Sequence, residues 1–550
     1  MGDDNPAAAL LKDQPDFSFT FLPLSHAQFG LDRPQMMKTH QLLLIATASV
    51  VTLGFSLAVA PSHAETLADV IAYAYDTNPG LQAQRAGVRA SDEAYVQARS
   101  GYGLSISASA GERSYEVRRD GTKADAVTDN VGLSIIQPLY TGGRVKARVN
   151  EAEAQILAAR EQLKRFEQDL LVRIVGAYVG VRRDEQLLKI AQDTVAVLQR
   201  EANDTQSKFD VRTVTITDVA QSRARLAQAR TQLISAQEQL ASSRAQFLGA
   251  VGQNPGQLAP PPQLEAQFTT IDQAFDAAEN NSPQLAAAQY VEQGSRARIA
   301  GAKANALPSL SARVDLQRTP VQPFQTGPID NSRSASIVLS QTIFSAGQIR
   351  SGIRQATEIN NRDRLTVDEA RLQVIQNVTQ TWERLVSLRE QLKTLEEEVK
   401  SNQTAFLGVR AEERFALRSN IEILNAASEL NAAQQNLTRA QASEYVGRAQ
   451  LLAVTGTLTP QLLSANVSSY DSAENFRRVK NSGVTPLDLP VRALDAIGSL
   501  PIGKPRPASI AEARPGGSPM SSTPPPAQTP MTSVLEIITR DDGASTPPAP

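Results

Sequence analysis

The sequence predicts a mainly α-helical fold carrying four β-strands, built from two copies of one structural unit in a single chain. Three observations predict it. First, matching residues recur 204 positions apart: Asn78-Pro79 and Ser282-Pro283, Gln137-Pro138-Leu139-Tyr140 and Gln341-Thr342-Ile343-Phe344, Gly143 and Gly347, Tyr178 and Trp382, Asp218 and Glu422, Leu233 and Leu437, Gly252 and Gly456. Second, each copy contains two period-two apolar runs around a polar stretch, the pattern of a β-hairpin. Third, each copy then keeps apolar residues at a and d positions over many heptads, the pattern of a coiled-coil seam. The period is far beyond the roughly 20–50 residues of a solenoid repeat. It marks a duplicated unit and points to a pseudo-symmetric assembly rather than a pocket-centred enzyme.

Composition agrees with long helices. Aromatic residues make up 5% of the chain and Trp382 is its one tryptophan. Alanine, glutamine, arginine and leucine dominate the middle, which suits helices packed through small and aliphatic seams. The formal net charge is -2 and acidic and basic residues alternate, with no basic stripe interleaved with aromatics; no nucleic-acid partner is expected. Cysteine is absent, which excludes disulfides and thiol chemistry. The three histidines are His26, His40 and His63, all in a segment expected to be removed. The mature chain then lacks the residues of histidine acid/base catalysis and of ordinary zinc sites, and no phosphate loop or nucleophile elbow occurs. No catalytic residue, cofactor or metal is therefore assigned.

At the N-terminus, residues 37–64 read as an export signal. Lys38 and His40 follow Met37, a mostly apolar run covers Leu42 to Val59, and Ser62-His63-Ala64 fits a small-x-small cleavage site. Residues 1–36 have no place before such a signal, so translation is expected to begin at Met36 or Met37 and the mature chain at Glu65. The competing reading is a single membrane-anchor helix. No cysteine follows the cleavage site, so acylation as a lipoprotein is not expected.

The first repeat spans 65–252. Residues 66–101 read as helix with a break at Asn78-Pro79, where Asn78 serves as cap and Pro79 as first helical residue. Ile106, Ala108 and Ala110 alternate with serines; Val131, Leu133 and Ile135 alternate with Gly132 and Ser134; Arg118–Asp129 between them reads as a polar loop. The row Val145, Val149, Ala152, Ile156, Ala159, Leu163, Phe166, Leu170, Ile174 then steps by fours and threes, is broken by Asp184, and resumes from Leu188 through Thr205 to Phe209. A helix from Gly143 to about Phe209 is ~100 Å long at 1.5 Å per residue. It returns as a shorter helix over roughly 216–249, and the helix before the hairpin is expected to stack end to end on that returning helix. Residues 253–269, with Pro255 and Pro260-Pro261-Pro262, form a linker. Residues 270–456 repeat the pattern, with Leu310, Ala312, Val314 and Leu316 and then Ile337 and Leu339 in the strands. In the second long helix the seam passes through Asn360 and Asp363. Residues 457–550 read as a disordered tail, since 14 of the 31 prolines lie beyond position 485.

Strands of around ten residues match the roughly 9–11 residues of a tilted strand crossing a bilayer core. Four strands cannot close a barrel, and lipid does not tolerate an open sheet edge. Either several copies pool their strands, or the hairpins are soluble and cap a helical bundle; the strands alone leave both readings open.

The combination resembles the TolC family of outer-membrane channel proteins. The resemblance runs from 66 to 456. It rests on the two-fold repeat, the junctions Gln-Pro-Leu-Tyr-Thr-Gly-Gly at 137–143 and Gln-Thr-Ile-Phe-Ser-Ala-Gly at 341–347, Ile216-Thr217-Asp218-Val219, and its partner Arg418-Ser419-Asn420-Ile421-Glu422-Ile423-Leu424-Asn425-Ala426. It implies a homotrimer whose twelve strands close a barrel in the outer membrane of a Gram-negative bacterium, continuous with an α-helical tunnel across the periplasm. It implies a periplasmic adaptor and an inner-membrane transporter of the ABC, RND or MFS type as partners, serving drug efflux or type I protein secretion. It also implies that the tapered end is closed by links at the turns, Phe209–Val219 and Glu413–Asn425. Arg418 matches a linking arginine, Glu422 and Asn425 match paired acidic residues of the constriction, and Thr217 and Asp218 complete the candidate gating set. Asn425 departs from the pattern, leaving one carboxylate where the family has two. Arg212 and Ala416 stand where the family often has glycine. Glu422 also admits a second role, a solvated carboxylate capping the returning helix. The functional alternative is a periplasmic coiled-coil adaptor without a pore, which would explain the heptads but not the duplicated hairpins.

Overall fold

The computed structural model of the chain describes residues 64–264, 267–319, 330–413, 415, 417–465, 467 and 470–497. The expected upstream extension, nearly all of the expected signal segment and everything beyond 497 lie outside the described residues.

The first repeat opens with α1, Leu67–Thr77, started by a capping box between Thr66 and Asp69. Asn78 ends it and caps α2, Pro79–Arg99, by accepting from the Leu81 amide, with Pro79 at the first helical position where a missing N–H costs nothing. A short 3-10 turn, Ser100–Tyr102, leads into β1, Ser105–Arg119, and β2, Thr122–Tyr140. The expected polar loop at Arg118–Asp129 is mostly strand. Asp120 and Gly121 take φ of 50° and 82°, a two-residue hairpin turn whose hand matches the strand twist, so the ladder runs on to Arg119↔Thr122. The second hairpin is shorter: β3, Ser309–Thr319, and β4, Asp330–Ser340.

All four strands form one antiparallel sheet in the order β1-β2-β3-β4. Register sorts the side chains by face. Ile106 lies opposite Ile135, which lies opposite Val314; Ala108 pairs with Leu133 and Leu133 with Leu316; Ala312 pairs with Ile337 and Leu310 with Leu339. The other face carries Ser107 opposite Ser134, Ser134 opposite Asp315, and Arg313 opposite Ser336. One face is therefore apolar and the other polar, the division of a membrane barrel wall with lipid outside and water within.

The helices follow. α3, Arg144–Asp210, has 67 residues and starts after Gly143, whose φ is 80°; it returns as α4, Ile216–Val251. The second repeat supplies α5, Ile271–Asn281, α6, Pro283–Ala304, the 66-residue α7, Gln348–Glu413, and α8, Asn420–Val454. The expected end-to-end stacking is present in both copies. Asn78 Nδ2 donates to the Ala250 carbonyl (3.3 Å), joining α2 to α4. Gly456, just past α8, sits against the Asn281 backbone at the α5–α6 joint.

The thickest core lies midway along α3. Leu67, Ile71, Leu170, Ile174, Tyr178, Phe247 and Leu452 are buried together with Leu258 and Leu264 of the linker. Tyr178 donates its hydroxyl to the Glu65 and Ala259 carbonyls (2.9 and 2.6 Å), and burial pushes its pKa up to about 12. Its counterpart Trp382 is half-buried against a smaller cluster of Ala274, Phe275, Leu285, Val374 and Val378. Both are packing residues.

The expectation of a disordered tail fails for residues 457–497. These form α9, Pro460–Leu463, α10, Glu474–Val479, and α11, Asp488–Ile497. Proline content misleads here because Pro460 occupies a first helical turn, where proline is tolerated, and because the segment has a surface to bind. Leu458, Leu463 and Val467 enter the main core. Phe476 meets Tyr95 edge-on at 5.0 Å, Arg99 donates to the Ser482 carbonyl (2.9 Å), and α11 docks beside β2 and α3. Among the described residues no helix is long and apolar enough to cross a membrane.

Candidate functional site at the helix tips

The turns that carry the candidate gating residues lie at the far end of the long helices, one between α3 and α4, the other between α7 and α8. In the first turn Arg212 takes φ 63° without being glycine, and its amide donates to the Phe209 carbonyl (2.8 Å). Thr215 and Asp218 then form a capping box at the start of α4. The Asp218 carboxylate accepts from the Thr215 amide and hydroxyl (both 2.8 Å), and the Asp218 amide donates to the Thr215 hydroxyl oxygen (3.3 Å). These bonds, backbone first, hold the Asp218 carboxyl below the usual carboxylate range. Thr217 is exposed on the first turn of α4.

In the second turn Arg418 joins the two helices it lies between. Its Nε donates to Glu412 (2.8 Å) and its Nη1 to Glu422 (3.1 Å). Glu422 also accepts from the Ser419 hydroxyl (3.0 Å); that bond first, and the guanidinium after it, lower its pKa. Glu422 thus sits in the first turn of α8 as a helix-start carboxylate, and Arg418 acts within its own repeat rather than across to the other one. Ala416 lies outside the described residues.

The links between the repeats come mostly from residues that sequence reasoning missed. Lys208 of α3 pairs with Glu413 at the end of α7, and with Asp204 (2.8 Å). Asn420 donates to Thr205 (3.0 Å) and to Ser222 (2.9 Å), which also bond each other (3.2 Å). Thr205 and Ser222 are almost fully buried, so this cluster clips α3, α4 and α8 together. Of the expected residues, Asn425 alone spans the repeats, accepting from Arg225 (3.3 Å). A signal was available: Thr205 is a hydroxyl in an apolar seam, and a buried hydroxyl must find a partner.

Between the tips lies a cavity of about 820 Å³ lined by residues of both signs, including Glu201, Asp204, Lys208, Glu413 and Arg418. Burial first, then the neighbouring Asp204 and Glu413, raises the Glu201 pKa above the usual carboxylate range. Partly exposed pairs such as these are each worth only ~0.2–1 kcal/mol. A set of them holds the two tips together yet separates at modest cost.

A model of the outer membrane efflux protein family matches residues 70–253 and 274–457, that is, both repeats. The chain belongs to that family. The outer membrane efflux protein BepC of Brucella suis biovar 1 is 27% identical over 439 residues, covering 80% of this chain and 95% of the relative. The alkaline protease secretion protein AprF of Pseudomonas aeruginosa is 24% identical over 376 residues, 66% of this chain and 76% of the relative. Among solved structures, the Campylobacter jejuni CmeC outer membrane channel superposes with a TM-score of 0.64 at 13% identity, covering 77% of this chain and 90% of that one. The chain is therefore an outer-membrane exit duct that extends into the periplasm. Its sheet is the wall of the membrane part and its long helices the wall of the tunnel. A pore-less adaptor is set aside.

Proposed function

We propose that three copies of this chain assemble into one duct that receives cargo from an inner-membrane transporter of the ABC, RND or MFS type through a periplasmic adaptor. One observation carries the trimer: the four-stranded sheet has one apolar face, one polar face and two unpaired edges, β1 and β4. Open edges are not tolerated in lipid, and pairing β4 of each copy with β1 of the next removes all of them in a twelve-stranded barrel. The purified chain should run as a trimer in mild detergent and conduct across a planar bilayer; a monomer carrying no current rejects the reading.

At the tips, Glu422 from the three copies forms an acidic ring at the entrance, and oxygen rings of this kind select ions at close quarters. With Asn425 in place of a second carboxylate, cation block should be weak. Glu422→Ala should abolish what block remains; unchanged block and conductance reject the ring. Arg418 keeps the second turn compact through Glu412 and Glu422, so Arg418→Ser should raise single-channel conductance, and no change removes it from the closure. Thr217 and Asp218 shape the first-repeat side of the same entrance. The cargo, drugs or exported protein, is set by the inner-membrane partner. Comparing drug susceptibility with the secreted proteome of a deletion strain decides between them.

A further inference from the structure

Helix α11 is built inside out for a protein surrounded by water. Its charged residues turn inward: Asp488 and Asp495 are buried, and Arg492 lies over the Tyr102 ring at 5.6 Å. Its outer face is uncharged. Leu487, Leu489, Leu494 and Ile497 are 49%, 74%, 50% and 84% exposed, and Pro490, Ala493 and Ala496 between them are exposed as well.

The inward side fixes where the helix sits. Asp495 accepts from the Thr141 amide (2.8 Å), the Thr141 hydroxyl (2.9 Å), the Gly143 amide (3.0 Å) and the Tyr102 hydroxyl (3.3 Å). Val491 packs with Tyr102 and Val145. Thr141 directly follows the last residue of β2, so α11 is seated at the foot of the sheet. Gln137 lies opposite Ala312, on the apolar face of the sheet, and its amide donates to the Tyr102 carbonyl (3.0 Å). Tyr102, and the helix bonded to it, therefore lie on the side that faces lipid.

We infer that α11 is an interfacial helix, with Leu487, Leu489, Leu494 and Ile497 immersed in the periplasmic leaflet of the outer membrane. Its occupant is phospholipid. The apolar face of the sheet continues downward into the apolar face of this helix, and lipid is the apolar solvent at that height. Helices of this kind lie in the plane of the interface, about 5–10 Å into the headgroup and acyl boundary. Here Asp495, an acidic residue that would normally face water, bolts the helix to the start of α3, so the duct is collared at the membrane surface. The inference rests on the reading of the sheet as a barrel wall.

The chain has no cysteine, so single-cysteine variants can be labelled directly. Leu489→Cys and Leu494→Cys carry an environment-sensitive fluorophore, with Ile106→Cys on the apolar sheet face and Glu397→Cys on exposed α7 as controls. The assembled protein is placed in phosphatidylethanolamine/phosphatidylglycerol vesicles with and without brominated acyl chains. Expected is a blue shift and bromine quenching at 489 and 494, comparable to 106, with neither at 397. Quenching at 106 without quenching at 489 and 494 overturns the inference alone. An unshifted emission then assigns the face to water, and a shifted one to a neighbouring copy or to residues 498–550. Loss of quenching at 106 as well overturns the barrel reading and this inference with it.

Discussion

The two repeats have nearly identical helices and different surroundings. α3 has 67 residues and α7 has 66; α4 has 36 and α8 has 35. Yet α3 packs against α2 and α4 of its own repeat and against α6 and α8 of the other, whereas α7 packs chiefly within its own repeat. Along α7, Leu365, Leu372 and Leu407 stay exposed. At the membrane end the contrast is sharper. The first junction is buried beneath α11, while Ile343 and Phe344 of the second are 96% and 86% exposed. Duplication preserves length because the rods must match. Side chains diverge where one repeat has neighbours in its own chain and the other, in the proposed trimer, meets the next chain.

The glycines that end the returning helices give the largest test of this comparison. Gly252 and Gly456 share the left-handed region, φ 96° and 78°. A Cβ on Gly252 meets nothing within 4 Å, whereas one on Gly456 falls 2.2 Å from the Asn281 carbonyl oxygen. Gly252→Ala should cost only the left-handed penalty of ~1–2 kcal/mol. Gly456→Ala adds overpacking against backbone, for a total of roughly 2–5 kcal/mol. Amide exchange around 281 and 456 reads the difference; equal effects in the two variants would show that the α5–α6 joint yields easily.

Next in size is Asp495→Ala. It strips the first junction of an acceptor shared by two amides and two hydroxyls, and buried groups left unpaired cost about 1–3 kcal/mol. Exchange should accelerate at 141–147 and stay constant at 345–351, where α7 begins without such a cap. Acceleration at both sites would mean that the junctions are coupled through the sheet.

Much of this architecture was legible. The long helices, their breaks and the four strands follow from periodicity and from Asn78, Pro79 and the glycines, because those signals are local. Two features were not. The extended first hairpin was hidden because Gly111 interrupts the alternation and Tyr115, Val117, Ala124 and Ala126 carry it on only weakly among charged residues; the Asp120-Gly121 turn was the clue. The folded segment 457–497 was hidden because its order comes from contacts far away in sequence, such as Asp495 with Thr141. The tip was legible as a place but not as a wiring diagram. The family resemblance marks Arg418, Glu422 and Asp218, whereas Asn420 and Lys208 gain their roles only when the two repeats lie side by side.

A smaller effect tests a divergence inside the seam. Where the first repeat has buried Ile156 and Val88, the second has Asn360 and Glu292. Asn360 donates to the Glu292 carboxylate (3.2 Å) and to Ser295 (2.9 Å), and Glu292 also pairs with Arg296. Asn360→Ile alone removes a donor from a buried carboxylate and should cost about 1–3 kcal/mol. Adding Glu292→Val imports the apolar layer of the first repeat and should recover most of that loss, since satisfied polar pairs and packed apolar ones are often close in stability. Thermal unfolding followed by helical circular dichroism checks the cycle. A double variant as unstable as the sum of the singles would mean that Ser295 and Arg296 do not tolerate an apolar layer there.

The smallest effect separates two helix starts of the same pattern. Thr215 and Asp218 bond reciprocally at α4, but at α8 the Ser419 hydroxyl donates to Glu422, whose carboxylate also serves Arg418. Asp218→Ala should therefore lower protection of the 215–219 amides by ~1 kcal/mol, while Glu422→Ala should disturb the second turn through Arg418 more than the helix start itself. Acid distinguishes the contribution further. The Asp218 pKa is lower folded than unfolded, so its stabilisation is present above the unfolded value of about 3.9. It is lost as pH falls through the folded one. Acidifying the native protein across that window should bring its 215–219 exchange toward that of Asp218→Ala. Exchange in the native protein that ignores acid would assign the start of α4 to the backbone bonds alone.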